Sequence, residues 1–175
     1  MGNDFDIIVC EIVLALKIVL TELFDSNEKF YYCAFLTTGE GLPPLISAWS
    51  EEALKREESS YENVNKYGGI KWSYAESPYY AFGYKKFSHV FSSRPLLSIL
   101  NEKEREKEFL FRLKAMEAAI RQVDKEGIFS INQSRDDICV EVGTMPPDKL
   151  TTEITRRLNN PDSLIMKEYM AEAAE

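Results

Sequence analysis

From residue 7 the chain reads "IIVCEIVLALKIVL", an apolar run broken only by Glu11 and Lys17. Those charges fall well inside the roughly 20 apolar residues that a membrane span needs. Asp4 and Asp6 precede the run, where a secretory signal carries positive charge. The pattern predicts instead a helix over residues 4–25, capped by Asn3 or Asp4 and ended by "DSN". Its apolar residues nearly encircle it, which predicts a core helix covered on most sides. The periodicity then changes. "FYYCAFLTT" (30–38) is aromatic and β-branched, and "LISAWS" (45–50) follows the turn residues "GEGLPP". Two strands of an antiparallel hairpin are predicted. Ser50 is placed to cap a helix over "EEALKREESSYENVNKY", whose early glutamates favour the positive end of the helix dipole.

Residues 70–87, "IKWSYAESPYYAFGYKKF", fit neither period. They carry Trp72, Tyr74, Tyr79, Tyr80, Phe82, Tyr84 and Phe87 together with Glu76, Pro78 and Gly83. Beyond them "KKFSHVFSS" and "PLLSILNEKEREKEFLFRLKAMEAAIRQVDKEG" read as two helices broken near Arg94-Pro95. Leu110, Leu113, Met116, Ala119, Ile120 and Val123 recur at helical spacing in the second. Its "NEKEREKEF" charges read as a solvated face. "IFSINQSRDDICVEVG" reads as strand, polar turn and strand, with Ile138, Val140 and Val142 alternating against Cys139 and Glu141. "TMPPDKL" ends the sheet, because prolines donate no ladder bonds. A short helix over "TTEITRRLNN" and a last one over "NPDSLIMKEYMAEAAE" complete the chain, the latter with Asn160 as cap and Pro161 at its first position. Helix, strands, helices, strands, helices is an α+β order. The expectation is one globular domain over residues 1–175, with an antiparallel or mixed sheet of about four strands packed with several helices.

Composition narrows the function more than the fold. The chain has 175 residues and a formal net charge of −8. An acidic surface repels nucleic acid and anionic lipid and attracts basic partners. Cys10, Cys33 and Cys139 each lie in an apolar run, which predicts buried, reduced thiols in a cytoplasmic protein. The single histidine, His89, sits among Phe87, Val90 and Phe91 and reads as a packing residue. It has no second ligand at a metal-site spacing, and no phosphate loop or nucleophile elbow is present. Glu51 with Glu52 and Glu57 with Glu58 diverge on a helix, and Asp136 with Asp137 sit at a turn. The residues therefore predict no catalytic site, no metal and no cofactor. The aromatic stretch has only Lys71 among its rings, too little positive charge for a single-stranded nucleic-acid site.

The segments "FYYCAFLTTGEG", "ISAWSEEAL", "IKWSYAESPYYAFG", "GIFSINQSRDDICVEVGTMPPD" and "RRLNNPDS", in this order, resemble the domain of unknown function 4303 family over about residues 10–165. The matching positions are Trp72-Ser73 with Tyr79, Arg135 before a strand, Pro146-Pro147-Asp148 after it, and Asn159 with Pro161. At Pro78-Tyr79 the chain departs from the family, which often has a second tryptophan there. The resemblance implies an immunity protein of a contact-dependent or polymorphic toxin system, which binds a cognate toxin, a basic nuclease domain. Aromatic anchors dominate interface energies and carboxylates speed encounter with a basic partner. Trp72, Tyr74, Tyr79 and Tyr80 are the candidate anchors, and Glu57, Glu58, Glu62 and Glu76 the candidate acidic rim. The rival reading is an enzyme or small-molecule binder that uses residues 70–84 as a pocket wall.

Overall fold

The computed structural model describes residues 2–60 and 70–175. Helix α1 (Gly2–Phe24) presents Ile8, Ile12, Leu16, Val19, Leu20 and Leu23 on one side. This stripe packs against α3 (Glu102–Lys125), which answers with Leu113, Met116, Ala119, Ile120 and Val123. Asn101 caps α3 reciprocally: its side chain accepts from the Glu104 amide, and the Glu104 carboxylate accepts from the Asn101 amide. The two helices cover one face of a mixed sheet of order β2-β1-β3. Strands β1 (Phe30–Thr38) and β2 (Leu45–Ser50) form the antiparallel hairpin, and β3 (Cys139–Met145) runs parallel to β1. Phe35, Ile46, Ala48, Val140 and Val142 face α1 and α3. Tyr32, Ala34, Leu36, Trp49 and Cys139 face the other way, toward α2 (Glu51–Ser60) and α5 (Leu164–Glu172). Helix α4 (Lys149–Leu158) lies along β3, so closely that a Cβ at Gly143 would clash with the Thr151 side chain.

The architecture is α+β as expected, but among the described residues its sheet has three strands rather than about four. The missing strand is the one expected in "IFSINQS". There the chain makes a 3-10 turn (Ile128–Ser130) that buries Phe129 edge-on against Phe24 at 5.7 Å. The backbone of Phe30 is bonded by a side chain instead. Gln133 accepts from the Phe30 amide at 2.9 Å and donates to its carbonyl.

Further differences follow from local geometry. Residues 84–94 form successive turns rather than a helix, with Phe91 at φ +69°. His89 is exposed there instead of packing. Ser50 caps α2 as expected, accepting from the Ala53 amide at 2.9 Å, but α5 is capped by Ser163 and not by Asn160. α1 begins at Gly2, so Asp4 lies in its first turn. The outer side of α1 stays uncovered: Ile7, Cys10, Leu14 and Ile18 are exposed, Leu14 by 60%. Only Cys33 and Cys139 are the buried thiols expected of all three. Glu108, expected on a solvated face, is buried between Arg94 and Arg112. The end of the helix expected after Ser60, and Glu62 with it, lies outside the described residues. No helix among the described residues is long and apolar enough to cross a membrane.

Candidate interaction surface

An edge strand offers unpaired backbone groups that a protein must cover. Residues 70–82 do this for β2. Trp49 Nε1 donates to the Ser73 carbonyl at 2.7 Å, and Ser47 Oγ to the Tyr74 carbonyl at 2.7 Å. Ser77 Oγ donates to the Ala48 carbonyl. The Phe82 amide donates to the Ile46 carbonyl at 3.0 Å, closing a one-residue bridge. Gly83, at φ +65°, brings the segment down on α1, where any Cβ would meet Val19 at 2.5 Å. The aromatic stretch is thus first a strap along the sheet edge.

Its rings divide between the two layers. Phe87 is fully buried, and Phe82 is half-buried against the α1 side. Tyr79 packs edge-on to Phe30 at 5.2 Å and donates to Glu28 at 2.7 Å. Ser50 Oγ and Arg56 donate to the same carboxylate. Burial works against the Glu28 charge, but the hydrogen bonds from Arg56, Ser50 and Tyr79 outweigh it and hold the pKa below the usual carboxylate value. Tyr79 is therefore spent inside the protein.

Trp72 belongs to the other layer. A register shift between Phe30 and Tyr32 turns both Tyr31 and Tyr32 to the same side of the sheet. Trp72 meets Tyr31, Tyr32 and Tyr169 edge-on at 5.6, 5.5 and 5.4 Å. Its Nε1 donates to Glu172 at 2.8 Å. Lys71 stands 5.0 Å over the indole ring and pairs with Glu168 at 2.8 Å and Glu172 at 3.1 Å. Beneath them Glu141, 1% exposed, accepts from Tyr169 at 2.6 Å and from Tyr32 at 3.0 Å. Burial raises the Glu141 pKa, and the two hydroxyls offset only part of that. Tyr31 is also held protonated, by burial first and then by the charges of Glu51, Glu58 and Glu172. Carboxylates from α2 and α5 therefore act on Tyr31, and one of them, Glu172, also accepts from Trp72.

The eight expected site residues are not one patch. Glu58 acts on Tyr31, the ring that Trp72 packs against, and Glu57 sits half-buried on α2 beside it in sequence. Tyr74 is half-buried against that layer, its pKa raised by burial first and then by Tyr80 and Glu141. Tyr80 is 46% exposed and Glu76 is exposed. Tyr79 faces Glu28 instead, and Glu62 lies outside the described residues. Sequence reasoning passed over Glu141, Tyr32, Tyr169, Glu168 and Glu172. A signal for Glu141 existed: the alternation of "DICVEV" puts it opposite Val140 and Val142. A second feature, the groove of about 450 Å³ beside Leu42, Leu96 and Leu97, gave no signal. Leu96 and nearby Ile99 are 66% and 74% exposed there.

Two positions carrying the family resemblance, Arg135 and Asn159, are architectural. Arg135 holds Asp124 at 2.8 Å and the carbonyls of Ile138 and Leu158 at 2.9 Å. Asn159 accepts from the Val140 amide at 2.9 Å and donates to its carbonyl at 2.7 Å. It thereby stands in for a strand beyond β3. Among the described residues no group of three or more histidine, cysteine or acidic side chains is arranged to hold a metal ion.

The profile of the family described as Domain of unknown function (DUF4303) matches residues 12–160. The chain belongs to that family. No curated protein and no solved structure matches it.

Proposed function

We propose that this chain is an immunity protein that binds and neutralises a cognate bacterial toxin, a basic nuclease domain delivered by a contact-dependent or polymorphic toxin system. The observation that carries the reading is a set of carboxylates from α2 and α5 about two packed rings: Glu51, Glu58 and Glu172 act on Tyr31, Glu172 accepts from Trp72 Nε1, and Glu168 pairs with Lys71 beside that ring. Lys71, the cation among them, is engaged by two of these carboxylates, and Arg56 of α2 is turned to Glu28. A basic partner therefore meets an acidic rim around rings already fixed by packing, so little side-chain freedom is lost on binding. The net charge of −8 acts in the same direction at longer range. The partner stands on the acidic rim, with Tyr80 as its exposed aromatic contact.

The test is co-purification with the product of the neighbouring gene, followed by binding kinetics and nuclease inhibition with the purified pair. Glu58→Lys and Glu76→Lys should leave folding unchanged and slow association, most strongly at low salt. Tyr80→Ala should speed dissociation by about tenfold, which corresponds to roughly 1.4 kcal/mol. Absence of a complex at micromolar concentrations, with nuclease activity undiminished, would reject the reading.

A further inference from the structure

On the opposite side of α5 from Trp72 the charge pattern reverses. Arg156 of α4 and Lys167 of α5 border a groove of about 540 Å³ whose remaining lining is Pro161, Met166, Met170 and Ala171. Neither cation makes an ion pair among the described residues. The Arg156 guanidinium is held over the groove by Met170, its Nε lying 3.5 Å from the thioether sulfur. The next arginine, Arg157, is by contrast tied to Glu117 at 2.8 Å. Leu164, 72% exposed, lies one turn before Lys167 and extends the apolar strip along α5.

We propose that this groove binds a small amphipathic anion, a carboxylate on an aliphatic body. The carboxylate sits between Arg156 and Lys167, and the body lies on Met170, Met166 and Pro161. Two unpaired cations beside an apolar floor favour a ligand that carries one negative charge and little other polarity. A peptide segment is a poorer occupant, because its backbone amides and carbonyls would find no partners on proline, methionine and alanine. The methionines suit a flexible chain, since unbranched thioethers repack around varied shapes. The volume falls in the range of small-molecule sites. The inference is independent of the toxin-binding reading, which stands on the other side of α5.

Octanoate is the probe, titrated below its aggregation concentration into the full chain labelled at the methionine methyls. The Met166 and Met170 signals should shift saturably while that of Met116, buried on α3, stays in place. Octylammonium, with the opposite charge on the same tail, should bind at least about tenfold more weakly, the factor expected for a lost ion pair of roughly 1.4 kcal/mol. Arg156→Glu and Lys167→Glu alter exposed side chains, so both should fold normally and each should weaken octanoate by a similar factor, while Arg156→Lys retains binding. Failure of octanoate to saturate either methyl signal would overturn the proposal. So would equal binding of octanoate and octylammonium, or unchanged affinity in both glutamate variants.

Discussion

Replacing Asn159 by alanine removes a side chain that serves as a strand. Val140 is fully buried, and its amide and carbonyl point away from β1 to the Asn159 side chain at 2.9 and 2.7 Å. Asn159 Nδ2 also donates to the Thr155 carbonyl at 2.7 Å. Alanine leaves the two Val140 groups without a partner in a dry setting. Each such group costs about 1–3 kcal/mol. Arg135 loses one acceptor but keeps Asp124 and the carbonyls of Ile138 and Leu158. The expected loss is therefore about 3 kcal/mol, toward the low end of the sum because the edge can admit some water. For a chain of this size that is a fall of roughly 6–12 °C in Tm. Denaturant unfolding and calorimetry measure it, and amide exchange at Val140 reports the site. Asn159→Asp separates the two halves of the bond pattern. It keeps an acceptor for the Val140 amide but turns a second oxygen toward two carbonyls. That variant should be weak at neutral pH and approach the wild type as pH falls, because its protonated form regains a donor. A loss below about 1 kcal/mol for Asn159→Ala, with Val140 exchange unchanged, would refute the idea that this side chain closes the sheet edge.

Other variants probe the buried charges and thiols. Glu108→Gln should cost about 3 kcal/mol, since it strips the compensating charge from Arg94 and from Arg112, which is 4% exposed. Burial opposes the Glu108 charge, but hydrogen bonds from the two arginines outweigh it and lower its pKa. Its stabilisation is thus present above pH 4.5 and lost as pH falls toward the lowered value, and urea midpoints of the wild type and variant should converge there. Glu141 behaves oppositely: burial raises its pKa, so the folded state holds a proton that the unfolded chain releases near pH 4.5, and its contribution falls as pH rises. Glu141→Gln should gain stability relative to the wild type from pH 4.5 upward, and a pH-independent difference would contradict this. In thiol labelling of the native protein one group should react quickly, and Cys10→Ser should abolish that phase. Cys33, pushed up to about 12 by burial, and Cys139, also raised by burial, should react only as fast as the protein opens.

Hydropathy period encodes which face of an element is dry, and that much of the fold was legible. α1, α3, the hairpin and β3 follow from it, as does the chemistry of the Ser50 cap. It does not encode which group supplies a backbone's hydrogen bonds. "IFSINQ" has the composition of a strand, but Gln133 bonds Phe30 across 103 positions of sequence, so no strand is needed beside it. Asn159 does the same for β3, and a pattern of apolar positions carries no trace of either. The aromatic stretch misled for a related reason. Ring density marks large buried area equally well for an interface and for a strap. Ala81 and Gly83, both at positive φ, bend the chain so that Tyr79 and Phe82 turn inward while Tyr80 stays out. Neighbours in sequence were thereby sent to different layers. The acidic rim was half legible for the same reason: Glu58 was in view from the start, but Glu168 and Glu172 reach it only because α5 packs against the strap, a contact formed about 100 residues away in the chain. A site assembled by tertiary packing of distant helices is readable only where one of its members breaks a local rule, as Glu141 does by placing a carboxyl group on the buried face of a strand.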